Sequence, residues 1–404
     1  MAPAGRVALI AMLGSAQTLA WASTYYLPAI LAAPMARALG LSMTTVFAAF
    51  SAALIVTAAA GPAAGKAIDR FGGRPVLITS SLLFAVGLAM LATAHAPWWF
   101  FAGWLVLGLG MACGLYEAAF AALVWLYDHR ARAPITGIAL LGGLASTVGW
   151  PLSGWLEAEL GWRNTCLVWA ALHLAIGLPL NALLPRMPIP AGPVASSDPT
   201  ASMPALPAPA AAATASPVDP RRILILLAVV FATTLFISTA MGAHLPGLLQ
   251  STGLTLAAAV GIAALVGPAQ VVGRLLEFGL LRQIHPLLSA RLAAAAHPLG
   301  AAVVLLLGAG YAPLFAILHG LGNGILTIAK GLLPLALFGS AGYGARQGWL
   351  MVPARIAQAC APFLFGLGLE HWGAQALWLS AGIGLLALAA LLALPAQRHG
   401  TPPH

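Results

Sequence analysis

Gly61-Pro-Ala-Ala-Gly65-Lys-Ala-Ile-Asp69-Arg70-Phe-Gly72-Gly73-Arg74 is the stretch on which the reading of the fold turns. Gly61 and Gly65, four residues apart, leave one helix face small enough for a neighbouring helix to approach closely. Asp69 can meet the positive N-terminus of another helix, and Lys66, Arg70 and Arg74 gather positive charge where an apolar run stops. Long apolar runs flank the stretch near 43 to 65 and 75 to 95. It therefore reads as the exit of one membrane helix and the entry of the next.

Outward from it the same pattern recurs. Further apolar runs lie near 7 to 31, 98 to 127, 134 to 156 and 164 to 185, and then near 223 to 248, 254 to 281, 287 to 310, 313 to 338, 347 to 369 and 374 to 395. A spanning helix needs roughly 20 apolar residues, so these are read as twelve transmembrane helices, spans 1 to 12. The chain of 404 residues is 61% hydrophobic and 7% charged, with a mean hydropathy of +0.95. No water-soluble surface is compatible with that, so the fold class is all-α, embedded in a lipid bilayer. The first run is longer than a signal-peptide core and is read as a retained span.

Between spans 6 and 7, Met187 to Pro220 is an Ala/Pro/Ser tract without a periodic apolar face, read as a flexible cytoplasmic linker. The expected domains are an N-terminal six-helix bundle (1–186), the linker (187–220), and a C-terminal six-helix bundle with a short tail (221–404). Basic residues set the orientation, because positively charged loops stay inside. With an inside N-terminus, thirteen Lys and Arg residues, Arg6 to Arg398, fall on one side, against Arg37 and Arg163 on the other. Both termini and the linker are thus expected in the cytoplasm, and the basic excess serves topology rather than nucleic acid.

The halves echo each other. Gly61-Pro62 parallels Gly267-Pro268; Gly108, Gly110 and Gly114 parallel Gly320, Gly322 and Gly324; Pro151 and Gly154 parallel Pro362 and Gly366. Copies six helices apart share an orientation, which makes a parallel repeat about the membrane normal.

The 61–74 stretch resembles the signature GxxxGxxxDRxGxR of the major facilitator superfamily. That resemblance implies two six-helix bundles around a central cavity, alternating access, and a gating motif made of Gly61, Gly65, Asp69, Arg70, Gly72 and Arg74. Trp125-Leu-Tyr127-Asp-His-Arg130, Gly137, Gly142-Gly143 and His244-Leu-Pro resemble the monocarboxylate and oxalate/formate exchanger branch. Drug/proton antiporters of the superfamily carry an arginine early in span 4, where this chain has Trp104, and an adjacent Gly-Pro in span 5, which Trp150 interrupts here.

Ionisable groups at depth mark function unless they are paired. Arg274, Lys330, Arg355 and Glu117 each lie about 12–16 Å from their cytoplasmic helix ends at 1.5 Å per residue. Arg suits a carboxylate because its planar fork grips both oxygens. The three cations are read as substrate contacts for an anion, in keeping with the basic residues of spans 8 and 11 that the branch resemblance implies, with Tyr116, Tyr25, Tyr26 and Asn323 as further hydrogen-bonding groups. The structural alternative for the cations is pairing with Glu117, Glu277 or backbone carbonyls. Glu117 is read either as carrier of a coupled proton or as a permanent ion-pair partner. Glu277 is expected to pair with Arg274 one turn away, or to snorkel.

The expected function is secondary transport of a small organic anion, such as a mono- or dicarboxylate, by proton symport or anion exchange in the inner membrane. The alternatives are an exporter of hydrophobic or cationic compounds and a transport-incompetent membrane sensor. No Walker motif, HExxH pair, Cys/His cluster or catalytic set appears, so no enzyme, metal or cofactor is expected. Cys113, Cys166 and Cys360 have no CxxC spacing. The expected partners are the anion, protons or a counter-anion, and the bilayer, with no nucleic acid; the chain is expected to be monomeric.

Overall fold

A computed structural model describes residues 3–185 and 219–395. Sixteen α-helices carry the chain through these residues. The first half comprises α1 (Pro3–Ser23), α2 (Pro28–Leu39), α3 (Met43–Phe71), α4 (Gly73–Ala92), α5 (Pro97–Gly114), α6 (Tyr116–Tyr127), α7 (Arg132–Gly142), α8 (Ala145–Leu172) and α9 (Leu178–Ala182). The second comprises α10 (Pro220–Gln250), α11 (Leu256–Ala263), α12 (Val266–Phe278), α13 (Pro286–Leu307), α14 (Ala312–Phe338), α15 (Tyr343–Trp372) and α16 (Ala376–Leu392). Among the described residues nine helical stretches are long and apolar enough to cross a membrane. The one over 97–182 crosses three times and the one over 343–392 twice, which brings the crossings to twelve. Of the tract read as a linker, 187–218 lie outside the described residues; Asp219 caps α10 by accepting from the Arg221 amide, and Pro220 opens it.

Span bounds differ from the sequence reading where helices break at depth. Span 1 is α1 and α2, parted at 24–27; span 4 is α5 and α6, parted at Leu115; span 8 is α11 and α12. Span 5 passes from α7 into α8 across Gly143 and Leu144, and α8 runs on into span 6 through Gly161, whose φ of 77° a side chain would resist. Irregular backbone at membrane depth is tolerated where it lines a cavity or is buried in protein. At the Leu115 break the Gly114 carbonyl accepts from Gln17 Nε2 at 2.7 Å, so the freed acceptor is satisfied.

Helices attract one another in lipid through close packing rather than through expulsion of water. The two halves make their longest contact along α3 and α15, and a Cβ at Gly65 would collide with the Gly344 carbonyl. At the end of the bundle that carries the 61–74 stretch, here the motif end, one apolar core joins both halves: Tyr116, Phe120 and Ile135 share it with Ile328, Leu332 and Tyr343. At the far end the two halves have separate cores, with Ala359 of α15 packing on that of the first half and accepting from Ser51 at 3.5 Å. There α2 and α8 make no substantial contact with α10 or α11 among the described residues. The halves are joined at one end and parted at the other.

Candidate functional site

Two polar latches hold the motif end. Asp69, in the last turn of α3, accepts from the Gly344 and Ala345 amides at 2.8 Å each. These are free N–H groups in the first turn of α15, where a carboxylate is favoured by the helix dipole. Gly72 closes α3 with φ 81° and packs under the Trp125 ring, which a side chain would displace. Arg70 is exposed and lies 5.0 Å from the Phe71 ring centroid. Arg74 has a buried Nε with no hydrogen-bond partner.

Arg132, at the start of α7, makes the second latch. It donates to the Ile284 carbonyl at 3.0 Å, to the Leu281 carbonyl at 3.2 Å and to Glu277 Oε1 at 3.2 Å. This corrects the expectation for Glu277. It pairs with Arg132 across the halves, not with Arg274 in its own helix, and at 2% exposure it does not snorkel. Sequence spacing favoured the same-helix pair, but rotation of α12 turns Glu277 toward α7.

Between the halves lies a cavity lined by Arg274, Lys330, Arg355, Glu117, Tyr116 and Asn323, all six singled out from sequence. Trp21, Tyr25, Tyr26 and Phe120 add an aromatic wall, and Ser238, Gln270, Thr327, Gln347 and Gln358 supply further polar groups. The helix breaks present these groups. Glu117 stands in the first turn of α6 because α5 ends at Gly114, and Tyr25 and Tyr26 lie in the elbow between α1 and α2.

The three cations are not equivalent. Arg355, 2% exposed, donates from Nη2 to both oxygens of Glu117 at 3.0 Å and from Nη1 to Gln358 Oε1 at 2.8 Å. Its charge is met inside the protein. Arg274, 5% exposed, has no carboxylate within ion-pair distance among the described residues, and its Nε lacks a hydrogen-bond partner. Its guanidinium lies against Gly143, where any Cβ would collide with it. Lys330 likewise has no acidic partner among the described residues. The indole N–H of Trp21 is a second buried donor without a partner on the cavity wall. Two cations and spare donors, facing one carboxylate that is already engaged, make a site for an electron-rich group.

Tyr116 donates to the Ala139 carbonyl at 3.3 Å and stacks on Phe120 at 5.3 Å. Gly142 leaves room for its ring. Asn323 borders the cavity from α14, one turn before Thr327. His244 lies within α10, its Nε2 2.7 Å from the Pro362 carbonyl of α15. Sequence reasoning missed the role of Arg132, which it placed among the basic residues of the cytoplasmic loops, and Gln358, whose place one turn after Arg355 inside a span was a usable cue.

Comparison with known proteins agrees with this architecture. The family model described as Major Facilitator Superfamily matches residues 13–329. Among solved structures, FucP, a transporter of that superfamily in the outward conformation, superposes with a TM-score of 0.70 at 15% identity, covering 95% of this chain and 97% of FucP. The human organic anion transporter MFSD10 superposes at 0.68 and 17% identity, covering 97% and 100%. Among curated relatives, multidrug resistance protein MdtL of Shigella flexneri is 36% identical over 155 residues, 37% of this chain and 38% of that protein. MdtL of Escherichia coli K12 is 35% identical over the same share. The alignment thus spans well under half of those relatives, and none of these matches singles out the oxalate/formate branch. With the family model covering most of its length, this chain belongs to the Major Facilitator Superfamily and is a multi-pass membrane transporter, not an enzyme.

Proposed function

We propose that this transporter exports amphipathic organic molecules and that an acidic group on the substrate is what the cavity grips. Arg274 carries the reading: a buried guanidinium on the cavity wall with no acidic partner among the described residues. An unpaired charge at membrane depth is costly, and a substrate carboxylate would meet it. Trp21, Tyr25, Tyr26, Tyr116 and Phe120 offer flat apolar surface for the rest of such a molecule.

The similarity to multidrug resistance proteins supports export more than uptake of a small carboxylate. It also outweighs the two motif departures, at Trp104 and at Gly149-Trp150-Pro151, that spoke against efflux in the sequence. A preference for cations finds less support, because the carboxylate on the cavity wall, Glu117, is engaged by Arg355. With the termini in the cytoplasm of an inner membrane, as the basic loops favour, the latched end faces inward and the parted end outward. Export would then be driven by a proton or counter-ion gradient acting on the Glu117–Arg355 pair, through a single chain.

The test is transport into everted membrane vesicles of aromatic carboxylates, their neutral amides and matched ammonium compounds, with and without a proton gradient, in the native protein and in Arg274→Ala. Accumulation of the carboxylates that Arg274→Ala abolishes supports the reading. Accumulation of the ammonium compounds alone, indifferent to Arg274, overturns it.

A further inference from the structure

Arg355 is the start of a chain of hydrogen bonds that crosses the halves twice. Its Nη1 donates to Gln358 Oε1 at 2.8 Å; Gln358 Nε2 donates to the Tyr25 oxygen at 2.8 Å; and the Tyr25 oxygen lies 3.4 Å from Thr239 Oγ1. The members come from α15, from the elbow after α1, and from α10. Donor chemistry gives the chain one direction. A guanidinium can only donate, so Gln358 must turn its carbonyl to Arg355 and its amide N–H to Tyr25. Tyr25 therefore accepts from Gln358, and its own proton points elsewhere.

The available acceptor is Thr239 at 3.4 Å, well beyond the usual 2.5–3.0 Å of an O–H···O bond. That proton is held weakly. Tyr25 and Gln358 both line the cavity that contains Arg274 and Lys330, and the phenolic O–H can turn between its two orientations in the ring plane. We infer that Tyr25 is a hydrogen-bond donor to the acidic group of the substrate, and that Gln358 is the positioning residue that keeps Tyr25 donating. The inference rests on the cavity being an anion site. Gln358 acts through Tyr25: while its N–H occupies the Tyr25 lone pair, the tyrosine proton stays available to the ligand.

Two substitutions separate this from a merely structural bridge. Tyr25→Phe removes the hydroxyl and nothing else. Gln358→Glu keeps an oxygen toward Arg355 but replaces the N–H with a second acceptor, so Tyr25 would donate to it and be withdrawn from the ligand. Affinity of the purified protein in lipid nanodiscs for 2-naphthoate and for neutral 2-naphthamide reads the outcome. A hydrogen bond to a charged group is worth about a tenfold change in affinity, a neutral one less.

Tyr25→Phe should therefore weaken naphthoate about tenfold and naphthamide only slightly, and Gln358→Glu should match it. In the Tyr25→Phe background, Gln358→Glu should add little. If Gln358→Glu weakens naphthoate equally in both backgrounds, charge repulsion explains it and the role of Gln358 is overturned. If Tyr25→Phe leaves naphthoate unchanged while Arg274→Ala abolishes its binding, Tyr25 is not a donor although the anion site stands. If the native protein does not prefer naphthoate to naphthamide, and Arg274→Ala changes nothing, the anion site fails and this inference with it. Tyr25→Phe decides the donor role even if Gln358→Glu does not fold.

Discussion

Arg355 and Arg274 line one cavity, are almost equally buried and belong to the same half of the molecule, yet their surroundings differ in kind. Arg355 is met by Glu117 and Gln358, and through them by helices of both halves. Arg274 rests on the backbone at Gly143 with a guanidinium nitrogen unpartnered and no acid in reach among the described residues. A cation satisfied by the protein holds the structure together; a cation left unsatisfied holds something else. Depth in the membrane marks both as special, and only their partners tell them apart.

The contrast breaks most visibly at Arg355. Arg355→Ala leaves the Glu117 carboxylate without its partner and should destabilise the protein by about 3 kcal/mol, seen as a lowered unfolding midpoint in detergent. The double substitution Arg355→Met with Glu117→Gln, which removes both charges, should recover most of that loss. Arg274→Ala should do the opposite, leaving stability unchanged or raised while lowering the affinity for aromatic carboxylates about a hundredfold, as expected for a buried charged hydrogen-bond donor. If Arg274→Ala destabilises as much as Arg355→Ala, the contrast disappears.

Lys330→Gln sharpens the comparison by a smaller amount. A point charge without fork geometry gives less orientation, so carboxylate affinity should fall about tenfold with stability little changed, measured by the same titration. Smaller again is Arg132→Gln. It weakens one of two latches at the motif end and should shift the balance between the two access states by about 1 kcal/mol, read as several-fold greater labelling of a reporter cysteine on that face. Asp69→Asn should act in the same direction, because a neutral amide supports the α15 amides less well than a carboxylate.

Much of this was legible in the sequence. The run of apolar segments required a membrane bundle, and Gly61, Gly65 and Asp69 pointed to a close helix contact and a helix N-terminus, which are α15 and its free amides. Counting helix rise placed Arg274, Lys330, Arg355 and Glu117 at a common depth, and they line one cavity. The pairing among them was not legible, because it depends on how far each helix is rotated. That rotation sends Glu277 to Arg132 instead of Arg274 and lets Gln358 reach Tyr25 across the halves. The breaks at 24–27 and at Leu115 were not read either, although Pro28 opens α2 and Gly114 closes α5, because long apolar runs continue through both positions. They follow from a cavity that can satisfy the freed backbone groups, which is a property of the assembled bundle.

On this reading Arg274 waits for a negative charge. The most direct measurement is competition for one transported probe, in native protein reconstituted in liposomes, by three molecules of the same shape: 2-naphthoate, 2-naphthamide and 2-naphthylmethylammonium. The carboxylate should compete best, the amide about tenfold to a hundredfold less well, and the ammonium least, with the order flattened in Arg274→Ala. An ammonium compound that competes best in the native protein, and still does so in Arg274→Ala, would contradict it.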